Sequence, residues 1–266
     1  MMVVRPKAFV ISLTEAKQRR ACVTARLKQA GIAFEFFEAV DGRRFDVESQ
    51  SIYDGPRRRA LYGHDMLGAE IGCLLSHKAI FETVVRNRQG PTLVFEDDIA
   101  LHPYFGRALD LLMANQEQWE LVRFLGAPKI MRQRQRPLLD LGNGFWMTRL
   151  MTQPGGAAAY LISETGAAKL LKHLDKTPFP IDALMGRSWL TGVDNLMVRP
   201  GLADQDAALG SDIGEARFVS HREIARNAGP GRKATIALRR LADNVGTRGV
   251  YWGSAPVDYL RRLGTS

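Results

Sequence analysis

An α/β fold built on a mostly parallel sheet is the class this sequence predicts, and three observations carry it. Strand-like and helix-like segments alternate through the first half of the chain. The apolar runs there have the length of buried strands, and the most telling one, Pro91 to Phe95, ends in the charge cluster Glu96-Asp97-Asp98. The 266 residues, 45% hydrophobic and 24% charged, suffice for a large core and exclude wholesale disorder. Repeated strand–helix order implies a sheet covered by helices on both faces.

The elements follow in order. Lys7 to Leu13 reads as a strand and Glu15 to Ala30 as a helix, with Thr14 as its N-cap and Gly31 as its stop. Phe34 to Val40 reads as a second strand, closed by the turn Asp41-Gly42. Residues Arg43 to Leu67 show no clear period and include Arg57-Arg58-Arg59, so they read as an ordered excursion or a mobile loop. Gly68 to Arg88 is the strongest helix, with Ile71, Leu74, Leu75, Phe81 and Val85 on one stripe. The strand Thr92 to Phe95 follows, then a helix from Tyr104 to Asn115 and a strand from Leu121 to Leu125.

The second half is less regular. Ala127 to Phe145 is rich in Arg, Gln and Pro and reads as a loop. Ala157 to Ile162 reads as a strand, and Ser163 caps a helix through Leu174. Pro178-Phe179-Pro180 breaks the chain before Ile181-Asp182. A short basic helix over Ala234 to Val245 carries Ile236, Leu238, Leu241 and Val245, and is expected to dock on the core or lie on a membrane surface. Two units are expected: residues 1–216 as the main domain and 217–266 as a basic tail.

Net charge is +9, and it is unevenly placed. From Arg217 onward ten Lys or Arg face three Asp or Glu, which leaves only +2 for the preceding 216 residues. Such a tail suits an anionic surface (phospholipid, lipopolysaccharide or nucleic acid) or a solvated face. A nucleic-acid partner is disfavoured, because interleaved aromatics and a binding motif are both missing. Cys22 and Cys73 make neither a disulfide framework nor a zinc site, and suit a reducing compartment. No apolar stretch approaches ~20 residues, so the expected location is cytoplasmic, with at most peripheral contact to the inner membrane face.

Chemistry concentrates at the strand ends. Three carboxylates closing a buried strand repel one another and resist leaving water unless a cation or donors neutralise them. In an open α/β sheet that strand end is also where ligands bind. The triplet therefore reads as a divalent-metal site for a phosphorylated substrate, or as a solvated turn with Asp98 capping the next helix. The first strand delivers Ser12 and Thr14 to the same edge, ahead of a helix start that carries Arg19 and Arg20. No GxGxxG or P-loop pattern is present. In the strongest helix Glu70 and His77 are two turns apart on one line, with Ser76 beside it, a set able to orient sugar hydroxyls or move a proton.

The segment Gly68-Ala69-Glu70-Ile71-Gly72-Cys73-Leu74-Leu75-Ser76-His77 resembles the signature of glycosyltransferase family 25, which includes bacterial lipooligosaccharide galactosyltransferases. Val10-Ile11-Ser12-Leu13 with Arg19-Arg20 is similar to the family's start, and Ala39-Val40-Asp41-Gly42 to its second block. Phe95-Glu96-Asp97-Asp98 resembles its metal motif, with Glu where the usual motif has Asp. Ala159-Tyr160-Leu161-Ile162-Ser163, Gly166-Ala167, Lys169-Leu170-Leu171 and Pro180-Ile181-Asp182 follow in the family's order.

The resemblance implies a GT-A-like fold, a UDP-sugar donor (galactose first), Mn²⁺ or Mg²⁺, and inversion at the anomeric carbon. It implies a glycan or glycolipid acceptor of the lipopolysaccharide type. Metal ligation falls to Asp98, then Asp97. Donor contacts fall to Ser12, Leu13, Arg19, Arg20, Asp41, Ser76, His77, Glu96 and Asp97. Of the two candidate catalytic carboxylates, Asp182 is the expected base, or else a helix N-cap, and Glu70 a donor-sugar contact; Tyr160 either stacks on the acceptor or packs as core. The rival readings are a relative with another donor or acceptor, and a non-catalytic nucleotide-sugar-binding module.

Overall fold

The computed structural model describes residues 5–126, 133–152, 155–206, 209 and 229–263. An eight-stranded sheet forms its centre, in the order β2-β1-β3-β8-β5-β9-β7-β6. Its strands are β1 Lys7–Ser12, β2 Glu35–Glu38, β3 Thr92–Glu96, β5 Leu121–Arg123, β6 Gln135–Asp140, β7 Trp146–Leu150, β8 Ala159–Ile162 and β9 Asn195–Arg199. Two short strands, β4 Ile99–Leu101 and β10 Ala203–Gln205, pair antiparallel beside it.

β1 pairs parallel with β2 and β3, and β5 with β9, while β8 and β7 run against their neighbours. Tracing those pairings across the sheet, β8 and β7 alone are reversed and the remaining strands share one direction. The expected mostly parallel α/β sheet is therefore present. Its parallel strand ends gather at one edge, the edge at which open α/β sheets bind ligands.

Alternation along the strands fills two cores. Val10, Leu93, Phe95 and Leu161 point to one face, where they meet α1 Lys17–Gln29 and α4 Phe105–Ala114. Phe9, Ile11, Val94, Tyr160 and Ile162 point to the other, beneath α3 Gly68–Arg86, α5 Glu164–Leu171 and α6 Ile181–Met185. Strands buried on both faces are apolar without a polar alternation, which is why β1, β3 and β8 were legible as short runs.

Local chemistry sets the helix boundaries. Ser163 Oγ accepts the Gly166 N–H at 3.0 Å and starts α5 as expected. Thr14 does not cap α1. Ala16 takes the cap position, and Thr14 turns both its N–H and its hydroxyl to Glu38. The excursion 43–67 is ordered and contains α2 Gly55–Tyr62, started by Asp54, whose side chain accepts the Arg57 N–H.

Two further expectations are corrected. The predicted loop 127–145 holds β6, which forms a hairpin with β7; its turn Gly142-Asn143-Gly144 has positive φ throughout. Residues 127–132 lie outside the described part. Asp98 is neither solvated nor a helix cap: it is buried in the turn between β3 and β4.

The basic helix is longer than expected, α8 Pro230–Gly253, and it is preceded by α7 Ser188–Thr191 and followed by α9 Ala255–Leu263. α8 packs on α2 and α7, and α9 on β6.

Candidate functional site

The ends of β1 and β3 and the turn after β2 frame a cleft of about 400 Å³, walled by α3. Nine of the expected residues line it: Ser12, Leu13, Arg19, Asp41, Ser76, His77, Glu96, Asp97 and Asp98. Sheet register explains the convergence. Ile11 stands opposite Glu96 across the β1–β3 pair, and Ser12 opposite Glu38 across the β1–β2 pair, so three strands deliver polar groups at one level.

The two aspartates differ in their partners. Asp97 accepts from Ser12 Oγ at 2.6 Å and from Arg19 Nη1 at 3.0 Å, so its charge is already balanced by protein groups. Asp98 accepts from Gln205 Nε2 at 3.2 Å through Oδ2, while its buried Oδ1 has no hydrogen-bond partner. Burial raises the Asp98 carboxyl to about 7, reinforced by the nearby Glu96 charge and opposed by Arg19. An orphaned, desolvated carboxylate oxygen in an acidic cleft fits a divalent cation. Asp98 fits that role, whereas Asp97, expected as its co-ligand, is engaged by Ser12 and Arg19.

Arg20 is placed behind the cleft. Its guanidinium donates to the Ser12 carbonyl at 2.9 Å and to Glu38 at 2.8 Å, and stacks 4.5 Å from the Phe36 ring. It braces the end of β1 and does not line the cleft. Asp41 lies at the rim, where hydrogen bonds from Arg43 hold its carboxyl down at about 2.

On the α3 wall, Ser76 Oγ accepts the Val40 N–H at 2.9 Å and donates to the Gly72 carbonyl at 2.8 Å, which ties the β2 turn to the helix. The backbones meet without side chains between them. A Cβ on Gly72 would lie 2.4 Å from the Val40 carbonyl oxygen, and one on Gly42 would lie 2.0 Å from that of Gly68.

Glu70 is corrected. Its carboxylate accepts the Leu67 N–H at 2.9 Å and so serves the start of α3, and it does not line the cleft. Tyr160 is corrected as well. Its ring is fully buried between His77 and Phe81, which leaves no face for a sugar, and its hydroxyl lies 2.7 Å from His77 Nδ1. A tyrosine flanked by Ala159 and Leu161 in a central strand packs as core.

Asp182 lies in the first turn of α6, outside the cleft lining. Its Oδ1 accepts the Ala183 N–H at 2.8 Å and its Oδ2 the Gly156 N–H at 3.4 Å. Beneath it, Arg123 is fully buried at the end of β5 and donates to the carbonyls of Gly156 and, at 3.3 Å, Asp182. Burial lowers the Arg123 guanidinium to about 10, against the pull of Asp182. The Gly156 loop leads into β8 and meets the acidic turn where Glu96 N–H donates to the Ala158 carbonyl at 2.8 Å.

Three residues here carried no sequence signal that was read. Arg123 is the one polar residue of the short apolar strand β5, and Gln205 follows Asp204 in the short strand β10. Cys73, within the recognised segment, lines the cleft beside His77.

A sequence model described as glycosyltransferase family 25 (LPS biosynthesis protein) matches residues 5–185. The chain is 31% identical over 183 residues to a mouse protein named inactive glycosyltransferase 25 family member 3, covering 62% of this chain and 28% of that one. It is 31% identical over 195 residues to a Drosophila melanogaster glycosyltransferase 25 family member, covering 67% and 30%. The chain thus spans under a third of the length of these relatives. Among solved structures, a glycosyltransferase involved in glycosylation of the major capsid of PBCV-1 superposes with a TM-score of 0.40 at 8% identity, covering 84% of this chain and 100% of that one. The inositol-1-phosphate CTP transferase of T. maritima gives 0.42 at 10% identity, covering 85% and 98%.

Proposed function

The chain belongs to glycosyltransferase family 25, and from that premise we propose that it transfers a sugar, galactose first, from a UDP-sugar to a saccharide of lipopolysaccharide or a similar glycan, with inversion. The observation that carries this reading is Asp98: a buried carboxyl with an orphaned oxygen, at the ligand-binding edge of a GT-A-like sheet, lining a cleft large enough for a nucleotide-sugar.

In this reading Asp98 holds Mn²⁺ or Mg²⁺, with Glu96 beside it. When bound, the cation supplies Lewis-acid stabilisation of charge on the departing diphosphate. Arg19 adds fixed positive charge on the same side, held in place by Asp97. Ser12, Leu13 and Asp41 frame the donor pocket. The acceptor hydroxyl attacks the anomeric carbon from the opposite face and loses its proton to a carboxylate base. Asp182 is that base in our reading, supported by its place beside the loop that leads to the acidic turn, with Arg123 fixing the backbone beneath it.

UDP release from UDP-galactose tests the proposal. It is expected to require Mn²⁺ or Mg²⁺ and to vanish in Asp98→Ala while the circular dichroism of the fold is retained. Metal-independent turnover, or an unimpaired variant, refutes the site. UDP-sugar binding without turnover in the wild type favours the non-catalytic module, the reading that the name of the mouse relative brings to mind.

We further propose that α8 and α9 rest on an anionic membrane surface. Among the described residues, seven of the ten exposed large apolar side chains lie on these two helices, including Leu238, Leu241, Val245 and Trp252 on α8. The exposed Arg240, Arg248 and Arg262 accompany them, and none of the described helices is long and apolar enough to cross a membrane. Replacing Leu238, Leu241 and Val245 with Gln is expected to weaken co-sedimentation with anionic vesicles about tenfold or more. Unchanged co-sedimentation refutes it.

A further inference from the structure

Cys73 and His77 stand one turn apart on α3 and face the cleft together. Glu96 approaches them from the end of β3. A sulfur, a ring nitrogen and a carboxylate oxygen thereby come within 4.8 Å of one another, with His77 Nε2 at 3.8 Å from Glu96 Oε1. His77 is fully buried, and its Nε2 has no hydrogen-bond partner. From this geometry we propose that Cys73, His77 and Glu96 form a second, thiolate-containing metal site in the wall of the cleft. It takes Zn²⁺ and leaves the fourth coordination position open to the cleft.

The chemistry of the three groups selects the ion. Thiolate and imidazole favour zinc over the hard cations that suit the all-oxygen surroundings of Asp98. Zinc bonds of about 2.0–2.3 Å in a tetrahedron place ligand atoms roughly 3.4–3.7 Å apart. The three ligand atoms, now within 4.8 Å of one another, must draw closer to reach that range. His77 is already oriented by the Tyr160 hydroxyl, 2.7 Å from Nδ1; in the tautomer that carries its proton on Nδ1 the hydroxyl accepts that proton, and the Nε2 lone pair is left to the metal. Cys73 binds as the thiolate, so its proton passes to solvent as the metal enters.

Co²⁺ is the probe, titrated into the full chain without nucleotide. The expected result is a saturable thiolate-to-cobalt charge-transfer band with the visible spectrum of a tetrahedral ion, abolished by excess Zn²⁺. The band should be lost in Cys73→Ser and in Cys73→Ala, and kept in Cys22→Ser and in Asp98→Asn. Tyr160→Phe, which removes the brace on His77, should weaken Co²⁺ binding about 10- to 100-fold. Absence of the band from the wild type, or its survival in both Cys73 variants, overturns the proposal. Because no sugar nucleotide is present and Asp98→Asn is the control, this outcome is separate from that of the transferase reading.

Discussion

Asp98 is the residue on which the cleft's electrostatics turn, because burial and Glu96 both oppose its ionisation. A folded-state value near 7, above the ordinary carboxylate value, means that protonation of Asp98 favours the fold. That contribution is complete below the unfolded value and is lost as pH rises through about 7. A divalent cation must compete with this proton, so the rise in melting temperature given by Mn²⁺ should be larger above about pH 7 than below about pH 6. A Mn²⁺ shift independent of pH, or lost equally in Arg43→Gln, would contradict the assignment. The aspartates were legible in the sequence because acidic residues closing an apolar strand have few explanations. The partner of Asp98 was not, since Gln205 reaches it only through the pairing of β10 with β4. Glu70 and Tyr160 were misread for a different reason: helical spacing and residue type give a direction from the backbone, but the N–H of Leu67 and the core around Phe81 claimed these side chains first.

The contact between α3 and the turn after β2 is made by backbone against backbone. Gly42, Gly68 and Gly72 permit it, and Ser76 fastens it. Gly72→Ala puts a methyl group against the Val40 carbonyl and the Gly42 N–H, neither of which is a flexible side-chain end. We expect a loss of about 1–3 kcal/mol, with a fall in melting temperature of roughly 2–4 °C per kcal/mol, and weaker nucleotide binding because the wall moves from the edge. A thermal melt matching that of wild type would contradict this. The two sequence blocks containing these glycines were recognised separately, and the structure supplies the reason they occur together. The same scale shows where periodicity failed. β6 and β7 carry Arg136, Pro137 and Arg149 among their apolar residues, so the strand pattern is broken by groups whose partners lie about a hundred residues away.

Those partners bind the molecule as a whole. Asp258 on α9 is fully buried and accepts from Arg149 at 2.8 and 2.9 Å, from Arg136 at 2.6 Å and from Ser254 at 3.1 Å. Arg149 also reaches Asp194 at 2.5 Å, and Arg261 reaches Asp194 at 2.7 Å. Arg187 holds Asp243 of α8 at 2.7 Å. Burial alone would raise the Asp258 carboxyl, but the hydrogen bonds and charge of Arg149, with those of Arg136, outweigh it and leave the value below the ordinary one. The stabilisation is therefore present above the ordinary carboxylate value and is lost as pH falls below it. Asp258→Asn should cost about 3–5 kcal/mol by leaving the Arg136 guanidinium without a carboxylate and Arg149 with Asp194 alone. It should also expose α9 to limited proteolysis, and a variant as stable and as resistant as wild type would contradict the clamp. Charge counting marked this segment as basic, yet its few acids hold it to the sheet, a pairing that composition does not reveal.

That clamp fixes an order of events during synthesis. Once Arg149 has been made, 109 further residues must be added before Asp258 exists, an interval of roughly 5–20 s at the usual pace of translation. For that time Arg136 on β6 has no carboxylate partner on the nascent chain and Arg149 has at most Asp194, while β1, β2 and β3 already have every strand neighbour they need apart from β8.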